Sequence, residues 1–259
     1  MKITALIAKI TDTLRSLLFP PKCIGCARML TDGDTDICQD CSRAFARAKL
    51  VPCEHCGEAI IACRCRYLGT ERLPLYSMLG YTPLGGSAVT DPVSHILLSR
   101  KTRLDEGTEE FLSRHMSVLV ECICKEHPDV MRGDWCLTYP PRSRKKRIAV
   151  GHDQSEELAG HLSLMTGIAL TACLERRAHE DTAQKTLDAQ QRAQNAENSY
   201  QLADGAVASI REKHVILIDD IATTGATLCA CAALLRKAGC ADVVALTVAR
   251  TVHAKHENM

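Results

Sequence analysis

The sequence predicts an α/β fold, a parallel sheet with helices on both faces, preceded by a small cysteine-rich module. Beyond Asp134, apolar runs of strand character alternate with amphipathic helical stretches, the order that builds a parallel sheet. Residues 215–218, Val-Ile-Leu-Ile, form a continuous apolar run that leads through a glycine-containing turn into a helix. Eight of the 15 cysteines crowd in close pairs between Cys23 and Cys65.

A chain of 259 residues has room for one large domain and a small one, and 46% hydrophobic content is ample for a core. With Lys+Arg 32 against Asp+Glu 31 the net charge is +1, so any nucleic-acid site must be local rather than a property of the whole surface.

Residues 1–19 carry Ile3, Leu6, Ile7, Ile10, Leu14, Leu17 and Leu18 at helical spacing and read as an amphipathic helix packed on its own protein, with a membrane-surface anchor as the alternative. The stretch lacks the uninterrupted apolar run and small-residue cleavage site of a signal peptide, and no run is long enough to span a bilayer. Pro20 and Pro21 end the helix. The cysteine module takes residues 20–66 and the α/β domain residues 67–259.

In the larger domain a strand is expected near residues 76–81, then a turn with Gly85 and Gly86, then helices over 93–98 and 111–124. A strand over 135–139, a basic loop over 142–147, a helix over 155–166 and a strand over 169–174 follow. Asp153 and Glu156 form a capping pair, and Leu158, Leu162 and Met165 form the buried stripe. After a polar stretch over 180–201 come a strand over 214–218, a loop over 219–226, a helix over 227–238 stopped by Gly239, and a strand over 243–248.

The chemistry concentrates after the apolar run, which brings the chain to the carboxyl edge of the sheet, where open α/β sheets bind ligands. Asp219 and Asp220 offer adjacent carboxylates that can reach vicinal hydroxyls or a cation. Ala222, Thr223, Thr224, Gly225, Ala226 and Thr227 then supply hydroxyls, a close-approach glycine and helix-start amides, the parts of a phosphate cradle. The bland alternative is a capped helix after an acidic turn.

Cys23-x2-Cys26 and Cys38-x2-Cys41, eleven residues apart, can close a tetrahedral zinc site. Cys53, Cys56, Cys63 and Cys65 form a second set, in which Gly57 supplies a permissive backbone and His55 could replace a thiolate. One or two structural zinc ions are expected, with disulfides as the alternative. The other seven cysteines lie in apolar or helical contexts, which fits small hydrophobes in a reducing cytoplasm. Arg142, Arg144, Lys145, Lys146 and Arg147 put five cations in six positions, either a solvated face or a phosphate-binding one.

Residues 215–228 resemble the phosphoribosyl-pyrophosphate signature of type I phosphoribosyltransferases. The start Leu17-Leu18-Phe19-Pro20-Pro21-x-Cys-x2-Cys, the paired cysteines, the prolyl-basic segment and the ending Val248-Ala249-Arg250-Thr251 resemble the ComF family. Those proteins are associated with competence and DNA uptake and join a double zinc ribbon to a phosphoribosyltransferase domain. The likeness also takes in Gln184, Arg192 and Asn195, while Val150-Gly151-His152-Asp153-Gln154 keeps Gly151 and Gln154 of a family element but lacks its arginine.

The resemblance implies a type I phosphoribosyltransferase-like sheet. It implies that Asp219 and Asp220 hold ribose hydroxyls and that residues 223–227 hold the 5′-phosphate of magnesium phosphoribosyl pyrophosphate or a nucleotide. The basic segment, Gln154, Gln184 and Arg192 would serve the pyrophosphate or a nucleic acid, with single-stranded DNA and DNA-uptake proteins as partners. An accessory role in DNA uptake or nucleotide metabolism is one expectation. Transfer of phosphoribosyl to an acceptor is a second, and a zinc-ribbon nucleic-acid binder with an inert body a third, which aromatic content of only 3% disfavours.

Overall fold

The computed structural model describes residues 20–31, 34–63, 67–68, 72–82, 92–100, 105–177 and 199–252. The expected helix over 1–19, the Gly85 and Gly86 turn, Cys65, and Gln184, Arg192 and Asn195 lie outside the described residues. In the cysteine module α1 (Gln39–Lys49) buries Cys41, Phe45 and Ala48, the one-face spacing of an amphipathic helix. The body continues through β1 (Tyr67–Leu68), β2 (Leu73–Tyr81), α2 (Pro92–Ser99), α3 (Glu106–Lys125) and β3 (Trp135–Thr138). It goes on through α4 (Arg144–Val150), α5 (Gln154–Thr166), β4 (Ala169–Leu170), β5 (Leu174–Arg176) and β6 (Tyr200–Leu202). The last elements are α6 (Ala206–Ile210), β7 (His214–Ala222), α7 (Ala226–Lys237) and β8 (Asp242–Thr251).

The sheet order is β1-β2-β8-β7-β3-β4, with β1 antiparallel at the edge and the other five strands parallel. β5 and β6 pair separately as an antiparallel hairpin. Side chains alternate across β7: Ile216 and Ile218 join Met116, Leu158 and Leu162 on one face, whereas Val215 and Leu217 join Leu228, Cys231 and Leu235 on the other. Burial on both faces explains why a central parallel strand reads as an unbroken apolar run.

Four expectations are corrected. The basic segment is helical from Arg144, because the Ser143 hydroxyl caps it by accepting from the Lys146 N–H at 3.4 Å and Gly151, at φ 86°, ends it. The strand expected over 169–174 breaks after Leu170, where the Cys173 N–H donates to the Thr171 carbonyl at 2.9 Å and bends the chain into β5. Asp219 and Asp220 lie inside β7 rather than in a loop, because β8 stays paired with it as far as Ala222 and Arg250. Met165 is 40% exposed; Leu158, Ala159, Leu162 and Thr166 form the buried stripe, and the Thr166 hydroxyl donates to the Leu162 carbonyl at 2.7 Å. Cys122 is also exposed, on the outer face of α3.

The cysteine module and the sheet share packing. Phe45 packs on Phe111 with tilted rings whose centroids are 5.1 Å apart, and Ile60 packs with Val252 beyond the end of β8. Behind the sheet, Arg100 after α2 makes a buried two-point ion pair with Glu109 of α3, at 2.6 and 2.7 Å.

Candidate functional site

Two short hairpins hold one close pair of cysteines each, Cys23 with Cys26 and Cys53 with Cys56, and they repeat one backbone pattern. In the first, the Cys23 N–H donates to Arg28 O at 2.8 Å and the Ala27 N–H to Cys23 O at 2.8 Å. In the second, the Cys53 N–H donates to Glu58 O at 2.8 Å and the Gly57 N–H to Cys53 O at 2.9 Å. The residue after the second cysteine is left-handed in both, Ala27 at φ 58° and Gly57 at φ 76°.

The sulfurs of Cys23, Cys26, Cys38 and Cys41 lie within 4.8 Å of one another, as do those of Cys53, Cys56 and Cys63. Zinc bonded to four sulfurs at about 2.3 Å requires sulfur–sulfur edges of about 3.8 Å. Cys26 and Cys38 stand 3.8 Å apart, and Cys56 and Cys63 3.6 Å, so the donor sets fit structural zinc. Among the described residues the cysteines form no disulfide, against the disulfide alternative. Burial pushes the Cys23 and Cys41 thiols up. Burial also opposes ionisation of Cys26, yet the hydrogen bond from Arg28 Nε at 3.4 Å helps carry that thiol down to about 6. His55 is not among the clustered donors of the second set.

The second centre of polar groups is a cavity of about 460 Å³ at the carboxyl edge of the sheet. Its wall includes Arg142, Lys146, Ser155, Arg176, Tyr200, Asp219, Asp220 and Thr227. The Ser155 hydroxyl donates to Asp219 Oδ1 at 2.9 Å. Burial first, and then the charge of Asp220, push the Asp219 carboxyl up to about 8. The Asp220 N–H donates to Asp219 Oδ1 at 2.8 Å, and the Ile221 N–H to Asp220 Oδ1 at 2.6 Å.

After β7 the chain turns at Gly225, whose φ of 74° admits no ordinary side chain without strain. Gly225 is the cap of α7 and has no side chain to occupy the helix-start amides. On the facing hairpin, Arg176 Nη1 donates to the Tyr200 hydroxyl at 3.1 Å, and burial raises that phenol to about 12.

One carboxylate joins the basic segment to this centre. Asp153, itself buried, accepts from the Arg142 N–H at 2.6 Å through one oxygen and from the Ser155 N–H at 3.3 Å through the other. It thus caps α5 while fixing the turn that carries Arg142.

The structure therefore brings Arg142 and Lys146 to the cavity of Asp219, Asp220 and Thr227. Arg144 and Arg147 line an adjoining groove with Tyr139 and Glu156, and Lys145 lines neither. Gln154 is buried away from the cavity wall, its side-chain amide without a hydrogen-bond partner. Arg176, Tyr200 and the Ser155 hydroxyl are cavity residues that motif reading missed; the hairpin that delivers the first two leaves no local signal, since its strands are three residues each.

Residues 14–71 match the family described as Double zinc ribbon domain, and residues 153–258 match Phosphoribosyl transferase domain. The DNA utilization protein YhgH of Escherichia coli O6:H1 is 25% identical over 242 residues, 91% of this chain and 100% of that protein. Competence protein F of Haemophilus influenzae is 32% identical over 100 residues, 39% of this chain and 43% of its own. Among solved structures, an allosteric regulatory enzyme of purine biosynthesis aligns with 59% of this chain at 17% identity and a TM-score of 0.37, and the chain spans about 29% of its length.

The parallel sheet, its carboxyl-edge loop and the cysteine hairpins ahead of them define a double zinc ribbon joined to a phosphoribosyltransferase-type domain. Both parts stand in that order, and the likeness to YhgH runs over 91% of this chain, which supports assignment to the ComF family.

Proposed function

We propose that this chain binds a phosphorylated ribose, as phosphoribosyl pyrophosphate with magnesium or as a nucleotide, in the carboxyl-edge cavity, and serves DNA uptake or nucleotide metabolism in an accessory role. The observation that carries the reading is the convergence on one cavity of two strand-borne carboxylates, three cations and Thr227, which follows the left-handed turn at Gly225. In this reading Asp219 and Asp220 hold the ribose hydroxyls, and residues 223–227 wrap the 5′-phosphate with hydroxyls and amides. Arg142, Lys146 and Arg176 face the remaining phosphates. Magnesium would supply charge neutralisation between the phosphates and the carboxylates. The names of the relatives, DNA utilization and competence, support the accessory role.

Transfer of the phosphoribosyl group to an acceptor is the second reading, favoured by the same three cations, which would stabilise charge on departing pyrophosphate. The domain limits that go with both readings are residues 20–66 for the ribbons and 67–259 for the body, in a reducing cytoplasm. Helix α4 adds a basic strip, through which single-stranded DNA would meet Arg144, Lys145 and Arg147.

Calorimetry with phosphoribosyl pyrophosphate and magnesium tests the reading. Saturable binding is expected; Asp220→Asn should weaken it by the about 1.5 to 3 kcal/mol of a charged hydrogen bond. Gly225→Val should weaken it further, and Asp204→Asn should leave it unchanged. Absence of saturable binding, or a Gly225→Val variant that binds like the parent, overturns the assignment and leaves the ribbon as the nucleic-acid-binding part.

A further inference from the structure

The amino-terminal edge of the sheet, opposite the cavity, gathers a second kind of donor. His214 opens β7 and Asp242 opens β8, and the two are register partners across the parallel pair. Trp135 opens β3 and is the register partner of His214 on its other side. From the turn after α3, His127 reaches the same place, its ring centroid 5.7 Å from that of His214 and 5.4 Å from that of Trp135. One donor atom from each of His127, His214 and Asp242 lies within 4.8 Å of the other two, and all three residues are half-buried.

The polar groups here are incompletely used. His214 Nδ1 is buried with no hydrogen-bond partner. Asp242 accepts from the neighbouring Val243 N–H at 2.7 Å through Oδ1, and among the described residues it makes no ion pair. The cation next to it in the fold, Lys213, is turned to the Gly133 carbonyl at 2.6 Å and to Asp134 at 3.7 Å. The buried His214 Nδ1 without a partner is costly unless something sits against it, and the Asp242 carboxylate beside it is held by no cation among the described residues. The two imidazole planes are inclined at 60°, so the rings converge rather than stack.

We propose that His127, His214 and Asp242 form a third metal site, separate from the cysteine hairpins, for a divalent first-row transition ion of the zinc class. Two imidazoles and one carboxylate suit zinc, cobalt or nickel better than magnesium or calcium, which prefer oxygen throughout. Bonds of about 2.0 to 2.1 Å need donors about 3.4 Å apart in a tetrahedron, and donors within 4.8 Å of one another reach that by closing at most about 1.4 Å. Three protein donors leave a position for water. The site lies five residues along β7 from Asp219, roughly 16 Å from the cavity. It ties the α3–β3 turn to two strand starts and takes no part in the proposed phosphoribose binding.

Trp135 is the protein's single tryptophan, with its ring centroid 5.1 Å from that of His214, so its fluorescence reports this edge alone. The experiment is titration with cobalt(II) of the full-length protein loaded with zinc at the cysteine clusters only, free zinc having been removed by dialysis against a mild chelator. Expected are saturable quenching of Trp135 at one equivalent and visible ligand-field bands without a thiolate-to-cobalt charge-transfer band, both reversed by added zinc. His127→Gln, on the turn, and Asp242→Asn should each weaken this binding at least tenfold while retaining the parent's cysteine-bound zinc and thermal midpoint in the absence of cobalt. No saturable quenching, a thiolate band that marks exchange at the hairpins, or unchanged cobalt affinity in both folded variants would overturn the proposal.

Discussion

The two cysteine hairpins share a backbone and differ in what they lean on. The first docks on helices as well as on β2: Phe45 of α1 packs on Phe111 and His115 of α3, and Asp36 pairs with Arg114 at 3.0 Å. The second docks on the sheet: Ile60 and Val51 pack with Val252, and Arg250 of β8 faces the Cys53 and Cys63 sulfurs. Burial opposes the charge on Arg250, but those sulfurs hold its guanidinium charged. Arg250 is also the register partner of Ala222, the last residue of β7 before the Thr223 turn. Metal-driven geometry leaves the residues between the cysteines free for docking, and only the second hairpin uses that freedom to reach the strand beside the cavity.

The comparison breaks most sharply at the thiols. Cys23→Ser with Cys26→Ser, and Cys53→Ser with Cys56→Ser, should each release about one zinc ion, measured by elemental analysis, and loosen its own hairpin. Structural zinc in small domains contributes about 10 to 16 kcal/mol of apparent binding free energy, so these are the largest effects expected. Only the second pair should also weaken phosphoribosyl pyrophosphate binding, through Arg250. Equal loss of affinity from both pairs would remove the distinction.

A milder test is Ile60→Ala, which empties a buried position between the second hairpin and Val252. A cost of about 2 to 5 kcal/mol is expected in chemical denaturation, with zinc content retained. The proton on Asp219 sharpens the comparison further. Its folded value, about 8, lies above the unfolded value of 3.8, so its contribution to stability is full below pH 3.8 and is lost as pH rises to about 8. The stability gain of Asp219→Asn over the parent should therefore grow between about pH 4 and 8 and then level. Ligand affinity in the parent should rise up to about tenfold per pH unit below 8 if the ionised carboxylate is the binding form. Serine at Cys53 and Cys56 should move this profile, and serine at Cys23 and Cys26 should not.

The smallest effect isolates the shared turn. Ala27 occupies the left-handed position that Gly57 fills in the second hairpin. Ala27→Gly should stabilise and Gly57→Ala destabilise, each by about 1 kcal/mol in zinc-loaded thermal unfolding. Opposite signs would show that the turn, rather than the metal alone, dictates the residue.

Legibility followed the range of the interactions. The Cys-x2-Cys spacings and the apolar run of β7 are local signals, and both lead to the structures they predict. Asp219 and Asp220 were legible as a pair but read as loop, because their strand character comes from Thr247 and Ala249 on β8, which no window around residue 219 contains. The basic segment was read from charge alone, although Ser143 ahead of it is a helix cap visible in the sequence. Arg176 and Tyr200 could not be found, since the hairpin that brings them to the cavity spans 24 residues. The junction at Asp153 was half legible: the cap is a local pattern, and the bond to the Arg142 amide is not.

The position of β8 sets a timetable for making the protein. It lies between β2 and β7, and the Ser77 hydroxyl meets that of Thr247 at 2.9 Å across 170 residues of chain. During synthesis the two halves of the sheet cannot join until residue 251 has left the ribosome, and β2 meanwhile presents an unpaired edge. The cysteine hairpins, closed by short loops, can take up metal long before that moment, and nascent chains stalled ahead of β8 should carry zinc while remaining open to protease along β2 and β7.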